Sequence, residues 1–324
     1  MKRFWAALAG ALAAATIVAT SVQAQSSYPD KPVRLVVPFP AGSGTDIIGR
    51  LIAQKMTEDF GQTVLVDNRP GASTIVGTDI VAKAAPDGYT MVMASNNHAM
   101  NPALFEGKLP FDSIKDFAAV GEVAILPFIL VVNPQVPANT FAELIALAKK
   151  GGLTYASTGN GTPPHVAGEM LKRAAKVDIT HVPYKGSAAA VQDVVSGQVP
   201  MMFINVPSGL SLVKAGKLRA LAVGTSKRIA QMPDLPTVAE LGYPGFDVSL
   251  WMGLLMPAGT PADVIDKMNK ELQRALADPA TRKKIEEQGA EPAYSTPAAF
   301  STFVADETRR LGDLVKDVGL KVDQ

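Results

Sequence analysis

The chain has 324 residues, 47% of them apolar, no cysteine, and 31 basic against 30 acidic side chains. That is more than one hydrophobic core usually supports, so two lobes are expected. The near-neutral charge leaves no electrostatic footprint for nucleic acid. The missing cysteine excludes disulfides, thiol catalysis, zinc–thiolate sites and a lipid-bearing cysteine behind a leader.

In chain order, Lys2 and Arg3 precede an apolar run from Ala6 to Thr20 and the small-x-small pattern Val22-Gln23-Ala24. This reads as a secretory signal peptide over residues 1–24, cleaved after about Ala24. The apolar run is short for a bilayer span. Export without disulfides points to a bacterial periplasm. Removing Lys2 and Arg3 leaves 29 basic against 30 acidic residues, a formal charge of −1.

From Val33 short apolar runs alternate with helical patterns. "VRLVVPF" (33–39) predicts a buried strand; Ile47, Ile48, Leu51, Ile52 and Met56 predict an amphipathic helix over 46–59. "TVLVDN", "TIVGTDIVAKAAP" and "YTMVMAS" predict strand, helix and strand, and such alternation means a parallel α/β sheet. "FAAVGEVAILPFILVVNP" (117–134) reads as two strand-like pieces around Leu126-Pro127. The alternation then resumes: helix at 140–152, strand 153–157, helix 163–176, strand 179–184, helix 188–198, and strands 199–205 and 218–225. "FDVSLWMGLLMPAGTP" (246–261) is a second long apolar segment, and the rest of the chain is helical.

Two long apolar segments thus bracket a middle α/β block. The expected architecture is α/β and two-lobed, with the chain crossing twice between lobes, as in a hinge-bending binding protein of the type II, Venus-flytrap kind. The expected boundaries are 25–124 plus 250–324 for lobe 1 and 125–249 for lobe 2, with hinges near 121–129 and 247–254.

In each lobe a strand runs into a glycine-rich turn before a helix, "VVPFPAGSGTD" and "TYASTGNGTPPHVAGE". Glycines expose successive backbone N–H groups, which form an anion-binding nest. The nucleotide signatures fail here. Gly44 to Gly49 is followed by Arg50-Leu51, without the lysine and hydroxyl of a phosphate-binding loop. Ile47 stands where a dinucleotide fingerprint needs its third glycine. Ser43 is flanked directly by Gly42 and Gly44, so no nucleophile elbow is present.

Thr45 and Asp46 read as helix caps, which assigns an anion to the Ala41–Gly44 amides and not to the helix terminus. Arg69 is either a carboxylate clamp or a tie to a neighbouring carboxylate. His165 either reaches the cleft or packs on its turn, His181 reads as structural, and His98 lies in a loop beside the cleft. No histidine pair has metal-ligand spacing, so neither a metal nor a cofactor is expected.

The ordered series "VRLVVPFPAGSGTDIIGR", "VDNRPGA", "AKAAPDGYTMVM", "FDSIKDFAAV", "TYASTGNGTPPHVAGE", "HVPYKGSAAAVQDVVSGQV", "AGKLRALAVGTSKR" and "MPDLPTVAELGYPGFDVSLWMGLLMPAGTP" resembles the Bug/TctC proteins from about Tyr28 onward. These are periplasmic solute-binding subunits of tripartite tricarboxylate transporters. The resemblance implies capture of a small organic carboxylate by lobe closure, without chemistry, and delivery to membrane permease subunits by a monomer. On matching positions it implicates Phe39, Ala41, Gly42, Ser43, Gly44, Thr45 and Asp46 in the first turn. In the second it implicates Ser157, Thr158, Gly159, Asn160, Gly161 and Thr162. Ser95, Asn96, His165, Tyr184 and Asn205 would be further walls.

Two departures stand out. The family usually has Ala-Gly-Gly-Pro-Thr-Asp where this chain has Ala41 to Asp46, and its Pro-Gly-Ala-Gly-Gly-Asn run is here Pro70 to Ile75. Ile75, Phe39 and the scarcity of cleft cations favour an aromatic carboxylate such as terephthalate, or a longer dicarboxylate, over a tricarboxylate. Two other readings stay open: a ligand-presenting partner of a membrane signalling receptor, and a periplasmic hydrolase using Ser43 or Ser157 with His165.

Overall fold

The computed structural model describes residues 28–184 and 186–317; the signal-peptide expectation falls outside them. In chain order the elements are β1 (Val33–Val37), α1 (Gly44–Phe60), β2 (Val64–Asn68), a short 3-10 turn (Ala72–Thr74), α2 (Ile75–Ala82), β3 (Thr90–Ser95), α3 (Asn96–Leu104) and β4 (Phe117–Val132). Next come α4 (Phe141–Ala148), β5 (Leu153–Ser157), α5 (Pro163–Ala175), β6 (Ile179–Pro183), α6 (Ser187–Ser196), β7 (Met201–Asn205), α7 (Val206–Lys214) and β8 (Arg219–Val223). The chain returns through β9 (Ser249–Pro257), α8 (Ala262–Ala277), α9 (Pro279–Glu287), β10 (Glu291–Pro292) and α10 (Pro297–Asp317).

The strands follow the order β2-β1-β3-β9-β4-β7-β5-β6, with β10 and β8 also on β4. β1 runs parallel to β2 and β3, β5 runs parallel to β6 and β7, and β9 and β4 run antiparallel to their neighbours. The two strand-like pieces expected at 117–134 are one strand of 16 residues. Its partner changes where the sequence suggested a break: Phe117 to Pro127 pair with β9, and Phe128 to Val132 pair with β7 and β8. Pro127 has no N–H for a ladder, so the exchange of partners falls where one ladder bond is already missing.

Side-chain alternation sorts each sheet onto two cores. In the first lobe Leu35, Val37, Met91 and Met93 face the α1, α8 and α9 side. Val36, Val92 and Ala94 face α3 and α10. In the second lobe Leu130 and Val132 face one core, and Ile129 and Val131 the other. The lobes touch directly. Val166 of α5 is buried with Trp251 and Phe300, and a Cβ added to Gly161 would meet Leu104 of α3 at 3.5 Å.

Two helices were not expected. α3 lies in the polar stretch "NNHAMNPAL", whose asparagines serve tertiary contacts, and α7 begins at Asn205, whose side chain accepts Ser208 N–H at 3.0 Å. That bond satisfies one of the donors every helix start leaves open.

Candidate functional site

In the first turn Ser43, and not Thr45 or Asp46, caps α1: its hydroxyl accepts Asp46 N–H at 3.2 Å. Gly42 sits at φ 81, a left-handed conformation that favours glycine. The Asp46 carboxylate is 2% exposed and accepts from Gly42 N–H at 2.7 Å, Asn68 Nδ2 at 2.8 Å and Arg50 Nε at 3.1 Å. Burial pushes this carboxyl up, but the bonds from Arg50, Gly42 and Asn68 outweigh it and hold it below the usual range. Asn68 also donates to Phe39 O at 3.1 Å, and Ser43 N–H donates to Pro40 O at 3.2 Å.

The turn is therefore tied to itself, and of the Ala41–Gly44 amides two are taken up within it. Gly42 and Ser43 N–H are engaged internally. Gly44 and Thr45, the first residues of α1, are the ones whose N–H groups have no intrahelical acceptor. Those two N–H groups are the ones this end of α1 leaves open.

The second turn rests on imidazoles. The Ser157 hydroxyl, with no exposed surface, lies 2.6 Å from His181 Nε2 and accepts Gly159 N–H at 3.1 Å. Thr162 Oγ1 donates to Gly159 O at 2.7 Å. Gly161 N–H donates to His165 Nδ1 at 3.1 Å, so neutral His165 carries its proton on Nε2. The His165 and His181 rings stack 3.8 Å apart at 7°, and Tyr155 stacks on His181 at 5.0 Å. Burial, then the neighbouring His181, push His165 down to about 4, and burial lowers His181. Two stacked rings cannot both carry charge cheaply.

This arrangement does not support the hydrolase reading. Ser157 meets His181, not His165, and is sealed from solvent. The nearby Glu169 accepts the Tyr155 hydroxyl at 2.7 Å.

A cavity of about 280 Å³ lies between the turns. Phe39 and Asn97 line it from one lobe, Leu126, Phe128 and Leu250 at the crossing strands, and Thr158, Thr162, Pro163, Pro164, Ser187 and the Met202–Asn205 strand from the other. A smaller cavity of about 170 Å³ shares Leu126 and Asn205 with it and adds Gly44, Ile48, Pro207, Ser208, Met252, Gln288 and Ala290. Among the described residues neither cavity is lined by a charged side chain. A larger recess of about 350 Å³, between α5 and α10, touches neither turn.

Five helices begin at these two cavities: α1 at Gly44, α3 at Asn96–Asn97, α5 at Thr162–Pro164, α6 at Ser187 and α7 at Asn205–Ser208. Each helix start carries partial positive charge from its unpaired N–H groups. Among the described residues the lining is uncharged, and these helix starts place partial positive charge around it.

Of the residues expected to contact a ligand, Phe39, Thr158, Thr162 and Asn205 line the larger cavity and Gly44 the smaller. Ala41, Gly42, Ser43, Thr45 and Asp46 build the first turn behind them, and Ser157, Gly159, Asn160 and Gly161 the second. Ser95 is buried at the end of β3. Asn96 does not line the cavity. Its carboxamide donates to Ser249 O at 2.9 Å and accepts Trp251 N–H at 3.0 Å, pinning α3 to β9. The wall residue is its neighbour Asn97, which only the phase of the unexpected helix could have identified. Tyr184 directs its hydroxyl to Asp193 at 2.6 Å; burial, then Asp193, push it up to about 12.

Arg69 takes its tie to Asp67, at 3.0 Å. His98, buried with Nε2 2.7 Å from Ser113 O, is a core residue pushed down to about 4 by burial. Among the described residues no group of three or more histidine, aspartate or glutamate side chains is arranged to hold a metal.

The model of the tripartite tricarboxylate transporter family receptor, TctC, matches residues 48–320. BugT of Bordetella pertussis is 35% identical over 319 residues, 98% of this chain and 98% of that protein. The structure of R. palustris Rpa4515 with adipate is 34% identical with a TM-score of 0.78, over 91% of this chain and all of that one. MatC from Rhodopseudomonas palustris with bound malate is 33% identical with a TM-score of 0.74, over 89% of this chain and all of that one. The chain belongs to the TctC receptor family, the Bug-type periplasmic solute-binding proteins, which bind and do not catalyse.

Proposed function

We propose that this protein captures a small organic carboxylate between its lobes in the periplasm and hands it, chemically unaltered, to the membrane permease subunits of a tripartite tricarboxylate-type transporter. The observation that carries this reading is the convergence of five helix N-termini on cavities that no charged side chain lines among the described residues. Such a site stabilises negative charge through fixed amide dipoles, and among the described residues no carboxylate lines it. With no cation lining it among the described residues, it suits one or two carboxylates better than three. Its apolar walls, Phe39, Leu126, Phe128, Phe203 and Leu250, suit an aliphatic or aromatic spacer. A dicarboxylate or an aromatic carboxylate such as terephthalate is the favoured class, in keeping with the adipate and malate held by the two relatives.

The lobes are residues 25–124 with 250–324 and residues 125–249, hinged near 121–129 and 247–254. A carboxylate that first meets one turn gains contacts from the other only on closure, and that differential affinity drives the closure. The mature chain after Ala24 acts as a monomer. A thermal-shift screen of that chain against adipate, malate, terephthalate and citrate tests the assignment. At a hundredfold excess over Kd the bound acid stabilises by about 2.7 kcal/mol. The dicarboxylates should raise the midpoint more than citrate; a screen in which no acid shifts it overturns the reading.

A further inference from the structure

Behind the cavity wall lies a segment that defies backbone preference. Ala72, Ser73 and Thr74 are consecutively left-handed, at φ 44, 52 and 78, and none is glycine. Among the described residues the one other non-glycine residue with positive φ is Lys176, at the C-terminal end of α5. L-residues are disfavoured in this region, so three in a row persist only where the surroundings hold them.

What holds them comes from α3. Asn97 Nδ2 donates to Ser73 Oγ at 2.9 Å, and Asn101 Nδ2 donates to Ser73 O at 2.8 Å. These asparagines stand one helical turn apart and therefore share a face. Thr78 Oγ1 adds a bond to Thr74 O at 2.9 Å. Asn101 is 1% exposed and anchors the backbone; Asn97 is half-buried and lines the 280 Å³ cavity.

We propose that Ser73 is a positioning residue for ligand recognition, acting through Asn97. The left-handed turn brings the Ser73 hydroxyl behind the Asn97 carboxamide and fixes that side chain against the cavity. A hydroxyl both donates and accepts, so it steadies either orientation of the amide, and the remaining donor and acceptor sites of Asn97 are left for the ligand. Strain at this turn is thus exchanged for a pre-aligned polar group beside the apolar Phe39, Leu126 and Leu250, which lowers the ordering cost of binding. The inference rests on reading the cavity as the carboxylate site.

Two substitutions separate positioning from simple structure. Ser73→Gly removes both the hydroxyl and the strain; Ser73→Ala removes the hydroxyl alone. Ser73→Gly should raise the thermal midpoint of the ligand-free mature protein and weaken adipate binding about tenfold by calorimetry. Ser73→Ala should weaken adipate binding by a similar factor without the gain in stability. Either change combined with Asn97→Ala should cost no more affinity than Asn97→Ala alone. In the ligand-free protein the Asn97 side-chain amide signal should lose order in both Ser73 variants, as read by nitrogen relaxation. If wild type binds no adipate, the adipate assignment fails and the relaxation measurement alone decides the role of Ser73. An Asn97 amide equally ordered in wild type and both variants overturns the proposal, as does wild-type adipate affinity in Ser73→Gly.

Discussion

The two glycine turns occupy equivalent places, one per lobe, yet they are held by opposite means. The first is organised around an ionised carboxylate: Asp46 gathers Gly42, Asn68 and Arg50. The second is organised around neutral imidazoles: His181 meets Ser157, and His165 takes Gly161 N–H. A buried charge beside an anion site must be fully satisfied by its own donors, and that of Asp46 is, with three of them facing its two oxygens. The neutral pair offers a different economy. It accepts and donates without adding a charge, but it tolerates no proton. The two turns should therefore fail at different pH values and for different reasons.

Asp46→Ala breaks the first turn most severely. It strands Arg50, the Asn68 carboxamide and Gly42 N–H around a vacated site, and should cost about 3 kcal/mol in chemical denaturation. Acid separates the turns next. His165 has its pKa depressed to about 4 from an ordinary 6.5, so its contribution is present above pH 6.5 and is lost as pH falls through 4. Asp46 is held below 3.8, so its contribution survives that window and is lost only in stronger acid.

Glu122 works the other way: burial, then Glu307, push it up to about 7, and it gains stability as pH falls from 7 to 4.5. The clean readout is consequently a difference. The stability gap between wild type and His165→Asn should narrow by roughly 2 kcal/mol between pH 7 and pH 4. A gap that stays constant over that range would remove the imidazole pair from the account.

Ser43→Ala sharpens the comparison further, because it removes the α1 cap without touching the Asp46 charge. It should cost about 1 kcal/mol and leave carboxylate affinity within a factor of about two, since the hydroxyl already accepts Asp46 N–H. Arg69→Ala should do least. Its guanidinium pairs with Asp67 at a half-exposed site, so stability should change by less than about 0.5 kcal/mol and binding not at all.

The alternation of strands and helices was legible because parallel strands are apolar runs and the helices between them keep one apolar face. β4 was not legible as one strand, because Pro127 interrupts the apolar pattern at the point where the strand exchanges neighbours. The two turns were legible from glycine spacing alone. Their internal wiring was not. Thr45 and Asp46 read as the caps of α1, and only the folded positions of Arg50, one turn on, and Asn68, a strand away, show why Asp46 turns away from that role. α3 escaped notice for a related reason. Asn96, Asn97 and Asn101 look like loop residues, and each is instead engaged by a tertiary partner. Choosing Asn96 over Asn97 for the wall followed from not seeing that helix.

The central claim is that a cavity ringed by helix N-termini, and lined by no charged side chain among the described residues, selects negative charge. The most direct measurement is calorimetric titration of the mature protein with the acid that most raises its thermal midpoint, set against the uncharged amide of the same skeleton. Shape and apolar contact are then matched, and only the charge differs. The acid should bind at least a hundredfold more tightly, a difference of about 2.8 kcal/mol or more. An amide that binds as well as its acid would contradict the claim.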